Sequence, residues 1–261
     1  MAAQGYDPEV WLRDRFEIFR KFCFPSIINQ SSKNFTWMIY LDIDTNPQVL
    51  ANLKEMVRPY PSILLILRVF DYFSIRLFLN KDIHEYLSND FEYLISSRVD
   101  TDDMLHKDYI KLVQTHFKNQ KYEALNFNRG HIYDIETGVT SVTIHKQNPF
   151  ISLFEKKSAE GFKTVFHQIH TSYRNDPLKI EISNKTPMWC MSVHGLNVST
   201  GFYGSVFKFK QPNLGGLFGF SHQHSPTLQN IWLFTIRSYK RTILRVLANA
   251  RYRLEKARKK N

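Results

Sequence analysis

The first hydrophobic pattern along the chain has helical spacing. Leu12, Phe16 and Phe19 recur at steps of three or four and predict a helix over 11–29. Pro25 lies inside this stretch, and a proline in a helix interior removes a backbone hydrogen bond. We therefore expect a kink or a restart of the helix at Pro25.

Short continuous apolar runs then alternate with helical spacing. The runs at 36–41, 63–67 and 93–95 predict buried strands. Helical spacing returns over 46–56 and again over about 106–118. Strands that alternate with helices predict an α/β fold with a mainly parallel central sheet flanked by helices.

The second half of the chain has a more irregular pattern. Residues 124–133 and 139–145 predict paired strands around a turn at 136–138. Later short strands are predicted at 179–182 and 189–194. No linker rich in Gly, Pro or Ser separates the two halves, so we expect them to form one domain.

Composition narrows the class of protein. Apolar residues make up 43% of the 261 residues and charged residues 23%, a balance that excludes wholesale disorder. The two cysteines, Cys23 and Cys190, cannot form a disulfide framework, which favours a reducing compartment. The N-terminal residues resemble no signal peptide, and no apolar run reaches a membrane span. We expect a cytoplasmic protein, or one peripheral to the inner face of a membrane.

Positive charge is concentrated at the end of the chain. The formal net charge is +11, and residues 231–261 hold ten Lys or Arg and one acid, so 10 − 1 = +9 lies there and +2 in the rest. This asymmetry predicts a globular domain over 1–228 and a basic amphipathic C-terminal helix over 229–261.

The C-terminal helix has an apolar stripe. Trp232, Ile236, Tyr239 and Ile243 recur at steps of three or four, and the pattern continues to Leu254. An apolar stripe beside many basic residues favours a helix that lies on an anionic membrane surface. The alternative is that the stripe packs on the domain and only the basic face is solvated. Nucleic acid is a third partner class, which no recognised motif supports.

Two groups of acids follow predicted strands. Asp42 and Asp44 lie at the end of the first strand, and Asp100, Asp102 and Asp103 follow the third. Ligands of open α/β sheets bind beyond the carboxyl ends of the strands. Carboxylates this close together repel one another, and Mg²⁺ or Mn²⁺, which prefer oxygen ligands, would compensate them. These acids therefore predict a site for a metal ion and a diphosphate.

Simpler explanations exist for the same residues. Asp102 or Asp103 could cap the helix that follows, where free backbone N–H groups favour an acid. Arg98 could contact a diphosphate, or it could form a salt bridge with its acidic neighbours. The sequence leaves both alternatives open.

Three segments of the chain form a recognisable set. They are Trp11-Leu12-x-x-Arg15 with Cys23-x-Pro25-Ser26-Ile27-x-x-Gln30 and Phe35-x-Trp37, then Ser97-Arg98-Val99-Asp100-Thr101-Asp102-Asp103, and then Trp189 with Val193-His194-Gly195-x-Asn197. Together they resemble the rhamnosyltransferase family of GT-A glycosyltransferases, and the resemblance covers about residues 11–200.

The resemblance implies a GT-A fold and a role for each matching acid. Asp100 and Asp102 match the acidic motif that contacts the donor ribose and the metal on the diphosphate, and Asp103 matches its companion acid. Asp42 matches the acid that faces the nucleotide base. His194 lies where several GT-A enzymes place a late metal ligand, and its alternative is an ordinary core or surface histidine. The implied cofactor is Mn²⁺ or Mg²⁺, and Arg98 would contact the donor.

The catalytic base is less clearly marked. An inverting transfer needs a carboxylate or a histidine near the acceptor hydroxyl. Glu155, Glu160, His167 and His170 lie in the right half of the chain, and we take Glu155 and His167 as the predicted catalytic pair. The alternative for each is a solvated surface role. His167 and His170 could bind a metal only if they shared a helix face.

The expected function is transfer of a sugar, such as rhamnose, from a nucleotide-diphosphate donor to a saccharide or a lipid-linked saccharide. The ten residues before Trp11 hold no strand-like run, so we expect either a missing first strand of the GT-A fold or a chain that starts late. The alternatives are a non-catalytic GT-A-like binding or scaffold protein, and a basic membrane or nucleic-acid adaptor.

Overall fold

The structure is a computed structural model and describes residues 7–69, 75–87, 90–197, 201–221, 223–241 and 243. Its helices are α1 (Pro8–Ile18), α2 (Phe24–Ile28), α3 (Pro47–Val57), α4 (Ile75–Tyr86), α5 (Tyr109–Thr115), α6 (Leu214–Phe218) and α7 (228–241). Its strands are β1 (Trp37–Asp42), β2 (Ile63–Arg68), β3 (Tyr93–Ser97), β4 (Met104–Leu105), β5 (Tyr122–Phe127), β6 (Arg129–Asp134), β7 (Thr140–Ile144), β8 (Ile151–Lys156), β9 (Lys179–Ile182), β10 (Trp189–Val193) and β11 (Ser205–Val206). Within these ranges no helix combines the length and the apolar character needed to cross a bilayer.

The predicted N-terminal helix is present and runs without a break. The Asp7 side chain caps α1 by accepting the N–H groups of Glu9 and Val10. A π-helical turn at Phe19–Cys23 joins α1 to α2, directly before Pro25. Because Pro25 has no N–H to donate, the helix accommodates it with a wider turn, where the sequence predicted a kink or a restart.

The first two strands form the predicted βαβ unit. β1 and β2 pair in parallel with α3 between them, and Asp42 lies opposite Arg68 at their carboxyl ends. The Asn46 side chain caps α3. Arg68 is hydrogen-bonded to the buried carboxylate of Asp82, which also accepts the Tyr40 hydroxyl at 3.0 Å. This ion pair therefore ties α4 to the β1–β2 pair.

The remaining strands form two mixed sheets. One has the order β11-β7-β6-β10-β4, in which only β6 and β10 are parallel; the other has the order β3-β8-β5-β9, in which only β5 and β9 are parallel. The predicted α/β class is confirmed and is compatible with a GT-A fold. The expectation of a mainly parallel sheet is wrong, because short connections such as that between β6 and β7 produce antiparallel pairs.

The chain changes sheets at a point that the sequence pattern did not reveal. The predicted strand over 124–133 is two strands, β5 and β6, which belong to different sheets. Asn128 lies between them. Its backbone N–H donates to the Ile182 carbonyl at 3.0 Å, and its backbone carbonyl accepts the His145 N–H at 2.8 Å. Strand β8, which pairs with both β3 and β5, was not predicted.

Aromatic packing joins the two sheets. Trp189 of β10 stacks on Phe150 with ring centroids 5.2 Å apart and donates its Nε1–H to the carbonyl of Phe127 on β5. Gly130 on β6 allows the indole to approach, since a Cβ there would lie 2.1 Å from the Trp189 ring. This contact fixes β10, whose carboxyl end carries the candidate site.

The face of helix α7 that packs on the domain is not the face that carries the apolar stripe. Ile231 and Phe234 are buried against the domain, whereas Trp232 and Tyr239 of the stripe are exposed. The alternative in which the stripe packs on the domain is therefore wrong for the described part of α7. The stripe residues from 244 to Leu254 lie outside the described residues, and the division into 1–228 and 229–261 stays a prediction.

Candidate active site

The acidic motif lies where the two mixed sheets meet. Residues 98–103 lead from β3 in one sheet to β4 in the other. β4 pairs with β10, and the Ser192 N–H of β10 donates to Asp103 Oδ1 at 3.0 Å. His194 follows the last residue of β10. The topology therefore brings the acids after β3 and the histidine after β10 to one place.

Three donors converge on one carboxylate oxygen of Asp102. Arg15 Nη1 lies 2.6 Å from Asp102 Oδ2, His194 Nε2 lies 3.1 Å from it, and Asn197 Nδ2 lies 3.2 Å from it. Arg15 also donates to Thr101 Oγ1 at 3.0 Å. The Arg15 and Asp102 side chains are only 17% and 12% exposed, so the ion pair is weakly screened by water.

Hydrogen bonds assign the tautomer of His194. The Leu196 N–H donates to His194 Nδ1 at 3.1 Å, so this nitrogen carries no proton. In the neutral ring the proton is then on Nε2, which donates it to Asp102. Asn197 Oδ1 accepts the His194 backbone N–H at 2.6 Å and holds the loop after β10.

The two adjacent acids titrate in opposite directions. Burial alone would raise the pKa of Asp102, but hydrogen bonds from His194 and Arg15 outweigh it and lower that pKa to about 2. The pKa of Asp103 is raised well above its usual value, first by burial and then by the charges of Asp102 and Asp100. Asp102 is therefore a paired carboxylate, and the neutral form of Asp103 is favoured.

Arg98 and Asp100 form a salt bridge, which was one of the two alternatives that the sequence left open for Arg98. Arg98 Nη2 donates to Asp100 Oδ1 at 2.8 Å. The Arg98 side chain is buried, whereas that of Asp100 is 48% exposed. The Arg98 guanidinium also lies over the Phe166 ring, with Cζ 5.3 Å from its centroid. The contact of Arg98 with a donor diphosphate stays a prediction.

Neither Asp102 nor Asp103 caps a helix. The residues that follow them form β4, and α5 begins only at Tyr109, after Asp108. The capping alternative is therefore wrong, and these acids are held by tertiary contacts.

The predicted metal ligands do not present a ready cation site in this arrangement. Asp102 and His194 are hydrogen-bonded to each other, and Arg15 supplies positive charge to Asp102. Asp103 is bonded to a strand amide. Within the described ranges no group of three or more His, Cys, Asp or Glu is placed to hold a metal ion. Metal binding by Asp100, Asp102 and His194 stays a prediction.

Asp42 lies at the end of β1, on the βαβ unit. Its Oδ1 accepts the Asp44 N–H at 2.9 Å, and its carbonyl accepts the Thr45 hydroxyl at 2.6 Å. These bonds form a turn that holds the exposed carboxylate. Its predicted contact with a nucleotide base stays a prediction.

The predicted catalytic residues, Glu155 and His167, lie among residues of the domain interior and its loops. His167 Nδ1 lies 3.0 Å from Thr164 O and 3.1 Å from the Tyr173 hydroxyl. Glu155 lies on β8, where burial raises its pKa, and its Oε2 has no hydrogen-bond partner among the described residues. Their catalytic roles stay predictions. Glu160 is exposed and is hydrogen-bonded to Ser158.

His170 lies in the segment 165–170, which begins beside the end of β3. The Val165 N–H donates to Ser96 Oγ at 2.8 Å and holds this segment against β3. Burial, followed by the charge of Arg98, lowers the pKa of His170, whereas Asp100 opposes this effect. Its Nδ1 is buried without a hydrogen-bond partner in the part of the chain that the structure describes. The four residues 167–170 follow a turn, so His167 and His170 share no helix face.

Two residues of the site were not predicted as functional. Arg15 and Asn197 both belong to the motifs that carry the resemblance, yet no local pattern marks either of them. Arg15 is 87 positions from its partner Asp102, and Asn197 is 95 positions from it. Their presence in two separate motifs was the only available signal.

Comparison with known families supports the resemblance. The chain matches the family model described as "Putative rhamnosyl transferase" over residues 2–205, which is 204 of its 261 residues. The matched region contains all the residues of the site described above. No curated protein sequence matches the chain.

Proposed function

Because this chain belongs to the rhamnosyl transferase family, we propose that it transfers a sugar, such as rhamnose, from a nucleoside-diphosphate donor to a saccharide acceptor, which could be lipid-linked. The observation that carries this proposal is the cluster of Arg15, Asp102 and His194 beside the Arg98–Asp100 pair. All these residues lie within the family's matched region.

The chemistry of the transfer defines what the site must supply. The bond between the anomeric carbon and the diphosphate oxygen breaks, and a bond from that carbon to the acceptor oxygen forms. The diphosphate leaves with added negative charge, which guanidinium groups stabilise well. Arg98 is buried and paired with a half-exposed carboxylate, so a diphosphate that approaches it meets a positioned cation.

Asp100 is the acid best placed to meet the donor. Its carboxylate is the most exposed of the three acids, and its Oδ1 accepts a hydrogen bond from Arg98. We propose that Asp100 contacts the donor ribose, and that Asp102 positions Arg15 and His194. Binding of Mn²⁺ or Mg²⁺ is a separate proposal that titration with the cations and a chelator tests.

We propose that His170 is the general base, which accepts the proton of the acceptor hydroxyl. The segment 165–170 is held at the end of β3, and Phe166 of this segment lies under Arg98. A neutral imidazole with an unpaired nitrogen can accept a proton from a hydroxyl. Glu155 and His167, the pair predicted from the sequence, remain the comparison residues.

Donor binding tests the first part of the proposal. Calorimetry with a panel of nucleoside-diphosphate sugars, which includes rhamnose nucleotides, should find one that binds. Asp100→Asn should weaken its binding about tenfold because a hydrogen bond to a charged group is lost. Glu55→Gln, a change at an exposed carboxylate on α3, is the matched control. Titrations with Mn²⁺, Mg²⁺ and chelator decide whether a cation takes part.

Turnover tests the second part. His170→Asn should leave donor affinity unchanged and lower the transfer rate about a hundredfold or more, the range of general base catalysis. His167→Asn and Glu155→Gln are run beside it. If either of these abolishes transfer while His170→Asn does not, His170 is not the base. Donor binding without release of nucleoside diphosphate across an acceptor panel would favour the non-catalytic binding protein.

A further inference from the structure

Helix α7 presents two faces with different surroundings. On one face Phe234 packs edge-to-face on Phe202, with ring centroids 4.7 Å apart, and Ser238 donates to the Gly204 carbonyl. Arg241 Nη1 donates to Phe202 O at 3.4 Å. These contacts hold the helix on the segment 202–204 and fix its rotation about its own axis.

The opposite face carries large apolar side chains that are exposed to solvent. Trp232 is 69% exposed and Tyr239 is 62% exposed. At 100° per residue the members of this face fall within an arc of roughly 80°. We call them the apolar row: Leu228, Trp232, Ile236, Tyr239 and Ile243. A contiguous exposed apolar surface of this kind marks an interaction site.

The surroundings of the apolar row are basic. Lys240 is exposed about 80° from the centre of the row, whereas the exposed Arg237 lies farther around the helix, over the Phe234 ring. Residues 182–254 contain no Asp or Glu at all. The row and its flanks therefore combine apolar contact area with positive charge that no nearby acid in the sequence neutralises.

A second exposed aromatic lies near the point where α7 is held. Phe209 is 99% exposed between Lys208 and Lys210. The chain from Gly204 to Phe209 spans at most about 18 Å, so this loop stays close to the contact of α7 with residues 202–204. The loop repeats the combination of an exposed aromatic ring and basic neighbours.

We propose that the apolar row docks α7 on an anionic lipid surface, with Trp232 and Tyr239 at the level of the headgroups. Trp and Tyr favour membrane interfaces, and Lys and Arg side chains can extend beside them to anionic lipids. A second copy of the chain fits less well, because a symmetric contact through this row would bring the Lys240 side chains of both copies together. The proposal goes beyond sugar transfer and does not rest on it.

Vesicle co-sedimentation of the full chain tests the proposal without any sugar donor. Vesicles of phosphatidylcholine with about one third phosphatidylserine should bind the protein at low salt, and pure phosphatidylcholine should bind it much less. The double change Trp232→Ser and Tyr239→Ser should weaken binding at least tenfold. Ile144→Ser with Leu178→Ser is the matched control, because both residues are exposed apolar positions outside the row.

Charge variants separate the two contributions. Lys240→Glu should lower the affinity roughly fivefold or more at low salt, Arg237→Glu should lower it less, and both losses should shrink as salt is raised. Circular dichroism and melting temperature confirm that each variant is folded.

Several outcomes overturn the proposal. One is that the row variants bind anionic vesicles as the parent does, which would assign binding to the charges alone. Another is a parent chain that stays in the supernatant with every vesicle. A lipid-free dimer that the row variants dissociate would identify a second copy as the occupant. Preference for nucleic acid over anionic vesicles at matched salt would identify a different partner.

Discussion

The opposite titration of two adjacent acids makes a sharp stability prediction. Asp102 has a pKa of about 2 against an ordinary value of 3.8, and it is mostly buried. One pKa unit corresponds to about 1.4 kcal/mol, so its ionised form contributes about 2 kcal/mol to stability at neutral pH. Because the folded pKa is lowered, this contribution is present above about pH 4 and is lost as the pH falls towards 2. Asp102→Asn should therefore lower the free energy of unfolding by about 2 kcal/mol at neutral pH.

Asp103→Asn should not lower the free energy of unfolding at neutral pH, in contrast to Asp102→Asn. The folded pKa of Asp103 is raised, so its favourable contribution is present below its ordinary value of 3.8 and is lost as the pH rises. An asparagine keeps an oxygen that can accept the Ser192 N–H and can never ionise. We expect this variant to be as stable as the parent or more stable at neutral pH, with a difference that grows as the pH increases.

Urea denaturation followed by circular dichroism measures both effects at about pH 5 and about pH 8. Asp14→Asn, at an exposed carboxylate on α1, is the matched control and should change stability little. Equal losses in the two variants at neutral pH would refute the reasoning. So would a loss in Asp103→Asn that grows as the pH rises, since both results would require an ionised and paired Asp103.

Three further stability predictions follow from buried contacts. Gly130→Ala should destabilise the protein by about 3 kcal/mol or more, because its Cβ would lie 2.1 Å from the Trp189 ring, whereas Gly195→Ala should cost little in the same denaturation assay. Asp82→Ala should cost about 2–3 kcal/mol, because Arg68 and the Tyr40 hydroxyl both lose their bonds to this buried carboxylate while Arg68 keeps its longer contact with Glu85; an unchanged melting temperature would contradict that. Burial lowers the pKa of His131 from 6.5 to about 4, so the free energy of unfolding should fall by about 3 kcal/mol as the pH drops from 6.5 to 4. His131→Asn should reduce this dependence of the free energy of unfolding on pH, and an equal dependence in the variant would contradict the prediction.

Local patterns in the sequence predicted the elements of the N-terminal half well. The apolar runs at β1, β2 and β3 and the helical spacing of α1 and α3 correspond to observed elements. A strand with apolar residues on both faces gives a continuous apolar run, and a helix gives apolar residues at steps of three or four. Both patterns lie within a few neighbouring residues, so they can be recognised without knowledge of the fold. The acids after β3 were predicted to form a site for the same reason, since they follow a recognisable strand.

The second half was predicted less well because its structure depends on pairing between distant strands. Asn128 lies between β5 and β6, which belong to different sheets, whereas the local pattern predicted one strand across it. The apolar residues of β8 gave no separate signal, and its central position comes from pairing with β3 and β5. Strand order is set by contacts far apart in the chain, which a local pattern cannot contain.

The sequence by itself determined which residues are available for chemistry, and the tertiary structure decided how they are paired. Asp102 and Asp103 are neighbours with the same side chain, but one meets Arg15 and His194 and the other meets a strand amide in the interior. Their opposite pKa shifts follow from these surroundings. In the same way, periodicity established that α7 has an apolar stripe, and only packing determined that Trp232 is on the exposed side. Burial and electrostatic pairing act through space, so a linear pattern can name the residues but cannot assign their partners.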